Sequence, residues 1–267
     1  MIFILPLQRL WKFIEDSMPV ERNISILFLE EVEVIMAEKR GSRERLKNVF
    51  EACTLRNVRR GLINHHNREK LENIDFSLIS SNCNGGVMCH DLGVQFRSQF
   101  VNLWMFCNDF IRYLSDLDYY NSIDDIAFIP REASGCNYPV GLIDGMRIFF
   151  VHYNSDEEAL IKWNERKKRI DKKNLFVMMS EQNGCTKEDL RAFDELPYSN
   201  KVVFTKQPYT DIRSAVYVPG FEEQRDVVTM LAYKNIFSAK RYYDDFPYVD
   251  WFNGTYKVDG SLRSRNY

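Results

Sequence analysis

A cysteine beside a pair of glycines is the group in this sequence best suited to nucleophilic chemistry. Cys83 lies in the run Asn82-Cys83-Asn84-Gly85-Gly86, directly after a short apolar stretch, which indicates a strand, a tight turn and the start of a helix. A thiol at a helix N-terminus gains acidity from the helix dipole, and the thiolate is the nucleophile. The amides of Gly85 and Gly86, with Asn82 beside them, are suited to bind an oxyanion or a phosphate. A small buried cysteine next to a glycine turn accounts for the same residues equally well.

A histidine at the end of a second apolar run is the candidate base. His152 and Tyr153 close the stretch RIFFVHY and precede a helix start at Ser155. A histidine in this position is suited to act as a general base or to contact a phosphate, and Tyr153 to contact a substrate. A histidine that simply hydrogen-bonds to the end of the following helix is the alternative. Cys83 and His152 form a nucleophile–base pair only if they meet in space, which the sequence does not decide.

The helix expected after His152 carries three further candidate substrate contacts. Trp163 and Arg166 are three positions apart and share a helix face, and Arg169 follows them. A guanidinium offers a planar set of donors that fits a phosphate or a sugar carboxylate. A core-facing tryptophan covered by an arginine is the competing interpretation, and the pattern favours it.

The sequence has no paired-cysteine metal motif and no known nucleotide cradle. It lacks a Cys-x-x-Cys pair, a Walker loop and a Gly-x-Gly-x-x-Gly motif. Cys83, Cys89 and His90 offer three potential metal ligands, but their spacing fits no common site. We therefore expect no bound metal, and we interpret the six cysteines as reduced thiols in a cytoplasmic protein.

Apolar stretches that alternate with helical patterns must position these residues. Ser155 with Glu158, and Thr186 with Asp189, have the spacing of capping boxes at helix starts. Strands alternating with helices predict an α/β fold with an open, mixed or mostly parallel sheet flanked by helices. The predicted strands are 75–81, 126–130, 147–153, 174–180, 201–205 and 215–219, and the predicted helices are 100–117, 155–170, one from Thr186, and 226–241.

Length and composition limit the class of protein and divide the chain. The 267 residues are 45% hydrophobic, which is enough for a large core and excludes a disordered chain. The net charge of −2 argues against a general polyanion binder, so no nucleic-acid partner is expected. We predict a charged helical segment over 1–74, an α/β domain over 75–254 and a polar tail over 255–267.

The N-terminal segment contains an excess of positive charge that the near-zero net charge of the whole chain hides. From Lys39 to Lys70 there are ten Lys or Arg residues and three Asp or Glu residues. The apolar start of the chain is too short to span a bilayer, and its positive charge follows the apolar residues, unlike that of a secretory leader. A helix docked on its own domain is the simplest interpretation of this segment. Peripheral contact with the inner face of the membrane is the alternative.

Several blocks of the sequence resemble a bacterial family known as domain of unknown function 1919. They are FSLISSNCNGG, FVNLWMFCNDFIRYLSDLDYY, YPVGLIDGMRIFFVHYNSDEEALIKWNERKKRI, NLFVMMSEQNGCTKEDLRAFDELPYSNKVVFT and YVDWFN, which lie between Asp75 and Asn253. Asn84 stands where the family often has an aromatic residue, and Ser81 where it often has asparagine. Members are often labelled exopolysaccharide or capsule biosynthesis proteins, so the resemblance implies a transferase that acts on surface sugars. The Ser-Asn-Cys strand end is also similar to the Gly-Asn-Cys strand end of some capsule acetyltransferases, which pair a cysteine with a histidine.

Three functions fit these features, and each takes a saccharide or a sugar nucleotide as its partner. The favoured one is an acyltransferase, with Cys83 as nucleophile, His152 as base, the glycine-turn amides as oxyanion donors and an acyl thioester such as acyl-coenzyme A as donor. The second is a metal-independent glycosyltransferase, in which His152, Arg166 and Arg169 neutralise the diphosphate of a sugar nucleotide. The third is a non-catalytic carbohydrate-binding or assembly protein.

Overall fold

The structure is a computed structural model, and it describes most of the chain. The described residues are 43–227, 230–235 and 238–258, with side chains from Leu55 onward. The chain divides into two compact units, residues 1–53 and 54–267. The apolar start of the chain and the end of the predicted polar tail lie outside the described residues.

Helices and short strands alternate along the described chain. The helices are α1 (Arg43–Lys70), α2 (Asn84–Leu92), α3 (Cys107–Ser115), α4 (Leu117–Ser122), α5 (Arg131–Ser134), α6 (Asp156–Lys167), α7 (Lys187–Glu195) and α8 (Tyr248–Phe252). The strands are β1 (Ser77–Ser80), β2 (Trp104–Met105), β3 (Ala127–Ile129), β4 (Val140–Ile143), β5 (Met146–Phe149), β6 (Leu175–Ser180), β7 (Lys201–Thr205) and β8 (Ala215–Tyr217). Two 3₁₀ turns cover Lys172–Asn174 and Tyr242–Asp245.

Two four-stranded sheets form the body of the protein, which confirms the predicted α/β class. The first is parallel, in the order β1-β6-β7-β8, and the second is antiparallel, in the order β2-β5-β4-β3. The Met105 amide donates to the Ser81 carbonyl over 3.0 Å, so the end of β1 is tied to β2 of the other sheet. Helices flank this mixed arrangement, as expected.

The parallel sheet is buried on both faces because two apolar clusters cover it. Phe176 and Met178 of β6 pack in a cluster with α2 and the C-terminal residues. Val177 and Met179 point to the opposite face and pack with α3, α6, α7 and the antiparallel sheet. A parallel strand buried in this way reads as a continuous apolar run, which is why NLFVMMS was recognisable in the sequence.

The C-terminal motif YVDWFN holds α1 against the parallel sheet. Phe252 stacks on Phe76 with ring centroids 4.0 Å apart, and Trp251 meets Phe176 edge to face. The Asn253 side chain accepts from the amides of Glu72 and Asn73 at 2.9 and 3.2 Å and donates to the Lys70 carbonyl at 2.9 Å. Asn253 therefore closes the carboxyl end of α1.

Both predicted helix caps are present. The Ser155 side chain accepts from the Glu158 amide at the start of α6, and Thr186 and Asp189 form a reciprocal capping box at the start of α7. Capping of this kind satisfies amide groups that have no partner within the helix. Among the described helices, none has the length and apolar composition needed to cross a bilayer.

Two predicted helices are wrong in part or in whole. The helix expected over 100–117 begins only at Cys107, because Asn102 has φ of 60° and Trp104–Met105 pairs with β5. The described part of 226–241 is a series of turns and contains no helix. Its backbone groups bond elsewhere: the Val227 amide donates to the Glu181 carbonyl, and residues 230 and 232 accept from the returning chain.

Candidate functional site

The turn after β1 has the predicted order of strand, turn and helix. Cys83 is the N-cap residue of α2, and its carbonyl accepts from the Val87 amide over 3.1 Å. The carboxyl ends of β1 and β6 are adjacent, because Ser80 pairs with Met178. In open α/β sheets ligands bind outside the carboxyl ends of the strands, so Cys83 lies on the edge of the sheet where a site is expected.

The Cys83 thiol is half-buried and protonated at neutral pH. Its Sγ atom lies 3.9 Å from the Leu103 carbonyl oxygen. Burial raises the pKa of Cys83 to about 11. Desolvation therefore works against the acidity that a helix N-terminus would give the thiol.

The backbone amides at the start of α2 differ in whether they already donate a hydrogen bond within the protein. The Asn84 amide donates to Asn82 Oδ1 at 3.0 Å, and the Gly85 amide to Ser80 Oγ at 3.3 Å. For the Gly86 amide we find no hydrogen-bond partner within the described residues. Of the two predicted oxyanion donors, Gly86 is therefore the one whose N–H group has no partner among the described residues, and the residue is buried.

Tyr153 and Arg166 lie together, close to Cys83. Tyr153 Oη donates to the Val101 carbonyl at 2.9 Å and accepts from Arg166 Nη1 at 2.6 Å. Burial raises the pKa of Tyr153. The Arg166 charge partly offsets this increase, and Cys83 raises the pKa slightly further. Val101 is two residues from Leu103, so one loop segment contacts both the phenol and the thiol.

His152 is next to Tyr153 in the chain but not hydrogen-bonded to Cys83. His152 is exposed to solvent, but the part of its ring that the protein covers loses hydration. This desolvation lowers the pKa of His152, so the ring is neutral at pH 7. No hydrogen bond joins the Cys83 thiol and the His152 ring in the part of the chain that the structure describes. A neutral imidazole is able to accept a proton, so the pair stays a prediction that depends on movement when a substrate binds.

Trp163 is sealed in the core, and Arg169 already has protein partners. Trp163 is 1% exposed and packs in the core against Phe100 and Phe150. Its assignment to substrate binding is thus corrected, because a side chain sealed in the core contacts no ligand at the surface. Arg169 pairs with Glu165 and donates to the Phe96 carbonyl at 3.2 Å, so its guanidinium is held by the protein.

A polar network on β6 completes the site and was missed in the sequence. Asn82 Nδ2 donates to Gln182 Oε1 at 2.7 Å and to Ser180 Oγ at 3.1 Å. Asn84 Nδ2 also donates to Ser180 Oγ, at 3.3 Å. The signal was present: the run SEQN follows a buried strand just as SSNC does, and parallel strands bring such ends together.

An aromatic surface lies one residue beyond the carbonyl that contacts Cys83. Trp104 is half-buried and stacks on Phe149 with centroids 3.8 Å apart, while Phe106 meets both rings edge to face. Flat, rigid aromatic surfaces of this kind are suited to receive the apolar face of a ring. The cavity beside Gly85 and Gly86, in contrast, measures about 10 Å³, enough for one water molecule.

We find no group of three or more His, Cys, Asp or Glu side chains arranged for a metal ion in the described ranges. The architecture and the polar carboxyl edge define an α/β protein with a cysteine turn between strand and helix. The chain belongs to the family described as Domain of unknown function (DUF1919), which matches residues 54–253. A Haemophilus influenzae protein described as "Uncharacterized protein" is 42% identical over 194 residues, which are 73% of this chain and 92% of the relative. The resemblance of the sequence blocks to this family is thereby confirmed.

Proposed function

We propose that this chain is a transferase of bacterial surface polysaccharide synthesis that moves an acyl group through Cys83. The observation that carries the proposal is the position of the thiol at the carboxyl end of β1, beside the Gly86 amide at the start of α2. The resemblance to proteins labelled for exopolysaccharide or capsule synthesis supplies the class of acceptor. The half-exposed Trp104 stack, close to the same turn, supports a saccharide ring as that acceptor.

Transfer takes place in two balanced steps. The Cys83 sulfur attacks the carbonyl of an acyl thioester such as acyl-coenzyme A, His152 accepts the thiol proton, and the donor thiolate leaves with that proton. A sugar hydroxyl then attacks the acyl-cysteine carbonyl, and its proton passes through His152 to the departing cysteine sulfur. The Gly86 amide stabilises the oxyanion in both steps.

The raised pKa of Cys83 and the lowered pKa of His152 favour a thiol that loses its proton during the attack. The pKa of Cys83 is raised to about 11 and that of His152 is lowered, so a thiolate–imidazolium pair is not populated beforehand. His152 must come within about 3 Å of the sulfur when the substrate binds, because proton transfer needs hydrogen-bond reach. General-base catalysis of this kind does not need a preformed thiolate.

Arg166 supports a donor that carries phosphate. Its guanidinium donates to Tyr153 and lies 5.7 Å from the Phe96 ring centroid, and no carboxylate among the described residues forms an ion pair with it. A half-buried guanidinium with this environment is a suitable partner for a phosphate group. The same observation favours the second candidate function, a metal-independent glycosyltransferase that uses a sugar nucleotide.

Intact-protein mass spectrometry after incubation with acetyl-coenzyme A tests the acyltransferase. The wild-type chain is expected to gain the mass of one acetyl group on the peptide that contains Cys83. Cys83→Ala should gain none, and His152→Ala should gain it at least about tenfold more slowly. Cys185→Ala is the matched control, because Cys185 is another half-buried cysteine, and it should label as the wild type does.

The labelling result, combined with thermal-shift assays, separates the alternative functions. Unlabelled wild-type protein that is stabilised in thermal-shift assays by nucleotide sugars, and not by coenzyme A, would favour the glycosyltransferase. Unlabelled protein that no donor stabilises would favour a non-catalytic carbohydrate-binding or assembly protein. Labelling that persists in Cys83→Ala would remove the proposed nucleophile.

A further inference from the structure

Helix α1 exposes an apolar stripe on the side that faces solvent. Leu55, Val58 and Leu62 are 62%, 59% and 65% exposed, and we call these three residues the outer stripe. Their spacing of three and four positions places them on one face of the helix. Arg56 and Arg60, which lie on the other side of α1, are buried.

This pattern is the reverse of an ordinary surface helix. A helix that packs on its own domain normally buries its apolar residues and exposes its charges. In α1 the buried Arg60 pairs with Asp91 and Asp244, while the aliphatic residues stay in water. Contiguous exposed apolar side chains on one helix face mark a surface that contacts a partner.

The charge around the outer stripe is positive. Arg59 is exposed between Val58 and Leu62, and Lys70 is exposed further along the helix, next to one exposed acidic residue, Glu69. The whole stretch from Lys39 to Lys70 has ten basic and three acidic residues. A face that combines aliphatic side chains with exposed cations fits an anionic lipid surface, where the chains insert at the headgroup boundary and the cations meet lipid phosphates.

We propose that the outer stripe of α1 lies on an anionic membrane surface and attaches the protein to it peripherally. A second copy of the chain is a poorer occupant for geometric reasons. The stripe covers the eight helical positions 55–62, about 10 Å of helix, so it supplies only a small part of the roughly 800 Å² that each partner contributes to a stable protein interface. The proposal is independent of the transferase chemistry, because none of its residues belongs to the Cys83 turn.

Co-sedimentation of the full chain with vesicles tests the attachment. We expect binding to vesicles of phosphatidylcholine with phosphatidylglycerol, much weaker binding to pure phosphatidylcholine, and loss of binding at high salt. The combined variant Leu55→Ser, Val58→Ser and Leu62→Ser should lower the partition coefficient at least about tenfold, because it removes the inserted side chains. Circular dichroism should show an unchanged fold, since all three side chains are exposed.

Ile161→Ser is the matched control. Ile161 on α6 is 63% exposed but stands apart from the outer stripe, so its loss should change the partition coefficient less than about twofold. The proposal is overturned if the wild type does not sediment with anionic vesicles, or if the triple variant sediments as well as it does. A dimer that the triple variant converts to monomer would also overturn it and assign the stripe to a second copy.

Discussion

The Arg60 guanidinium donates to the Asp91 carboxylate over 2.8 Å, and both side chains are buried. The pair joins α1 to α2. From the C-terminal turn, the Tyr243 hydroxyl accepts from Arg60 and donates to Asp91, and Asp244 accepts from Arg60. Three parts of the chain that are far apart in sequence therefore meet around one buried charge cluster. The Cys83 turn begins the helix that carries Asp91 in its last turn, so this cluster also anchors the candidate site.

Replacement of Asp91 by asparagine should destabilise the protein by about 3 kcal/mol at pH 7, because it removes the carboxylate that pairs with both buried Arg60 and buried Arg241 and leaves only Asp244 paired with Arg60. Burial alone would raise the pKa of Asp91, but the hydrogen bond from His90 and the charges of Arg241 and Arg60 together hold it below its usual range. This stabilisation is present above the ordinary aspartate pKa of about 4 and is lost as the pH falls toward the lowered pKa. In urea unfolding, the difference in the free energy of unfolding between wild type and variant should thus narrow below about pH 4.

Asp75→Asn is the control for that experiment. Asp75 also pairs with an arginine, Arg97, but it is exposed. Exposed ion pairs contribute about 0 to 1 kcal/mol, so this variant should stay close to the wild type at every pH. An equal loss in both variants would show that the buried cluster has no special role.

Alkylation of Cys83 should rise steeply with pH. With a pKa of about 11, only a small fraction of the thiol is ionised at pH 7.5, and the rate with iodoacetamide should increase about tenfold per pH unit up to the pKa. Mass spectrometry of the peptide that contains Cys83 measures this rate, and Cys83→Ser identifies the signal. A rate that levels off near pH 7 would contradict the burial argument and indicate a preformed thiolate.

Two glycine-to-alanine substitutions should have opposite effects on stability. A Cβ atom on Gly85 would lie 2.6 Å from Ser80 Cβ and 3.0 Å from Leu78 Cδ2, so Gly85→Ala should destabilise by about 1–3 kcal/mol. A Cβ atom on Gly61 of α1 meets nothing within 4 Å, so Gly61→Ala should stabilise by about 0.5–1 kcal/mol through helix propensity. Thermal unfolding of both variants checks the pair. If Gly85→Ala left the stability unchanged, the turn would be able to move away from the added Cβ atom without a loss of stability.

Asn253→Ala should destabilise the protein by about 1–3 kcal/mol. The substitution removes three hydrogen bonds that close the carboxyl end of α1 and leaves those backbone groups unsatisfied. Asn108→Ala is the control, because Asn108 is exposed on α3, and it should change stability by less than about 0.5 kcal/mol. Chemical denaturation measures both values, and equal losses would contradict the capping role.

Short sequence patterns were sufficient to predict the parts of the fold that depend on residues adjacent in the sequence. The turn at Cys83, the caps at Ser155 and Thr186 and the buried run of β6 all follow from short patterns. The β4–β5 hairpin was overlooked, although Asp144-Gly145 between apolar runs is a strong hairpin signal and adopts φ of 47° and 80° there.

Features that depend on distant partners could not be predicted. Trp104–Met105 reads as part of a helix until β5 pairs with it, and the apolar residues of 226–241 are buried by turns rather than by a helix face. The same limit applies to the site. Asn82 and Ser180 meet only because two strands align across 98 positions of the chain, and no local pattern specifies that register.

The long separation between β1 and β6 has a consequence for the order of folding. The antiparallel sheet forms entirely from residues between these two strands, so its hairpin contacts are local and close quickly. The pairing of Ser77 with Leu175 must instead close a loop of roughly 100 residues, which is entropically slow. The Cys83 turn therefore acquires its Ser180 and Gln182 partners late, and a chain that stalls during synthesis or refolding would hold an assembled antiparallel sheet with an unassembled site.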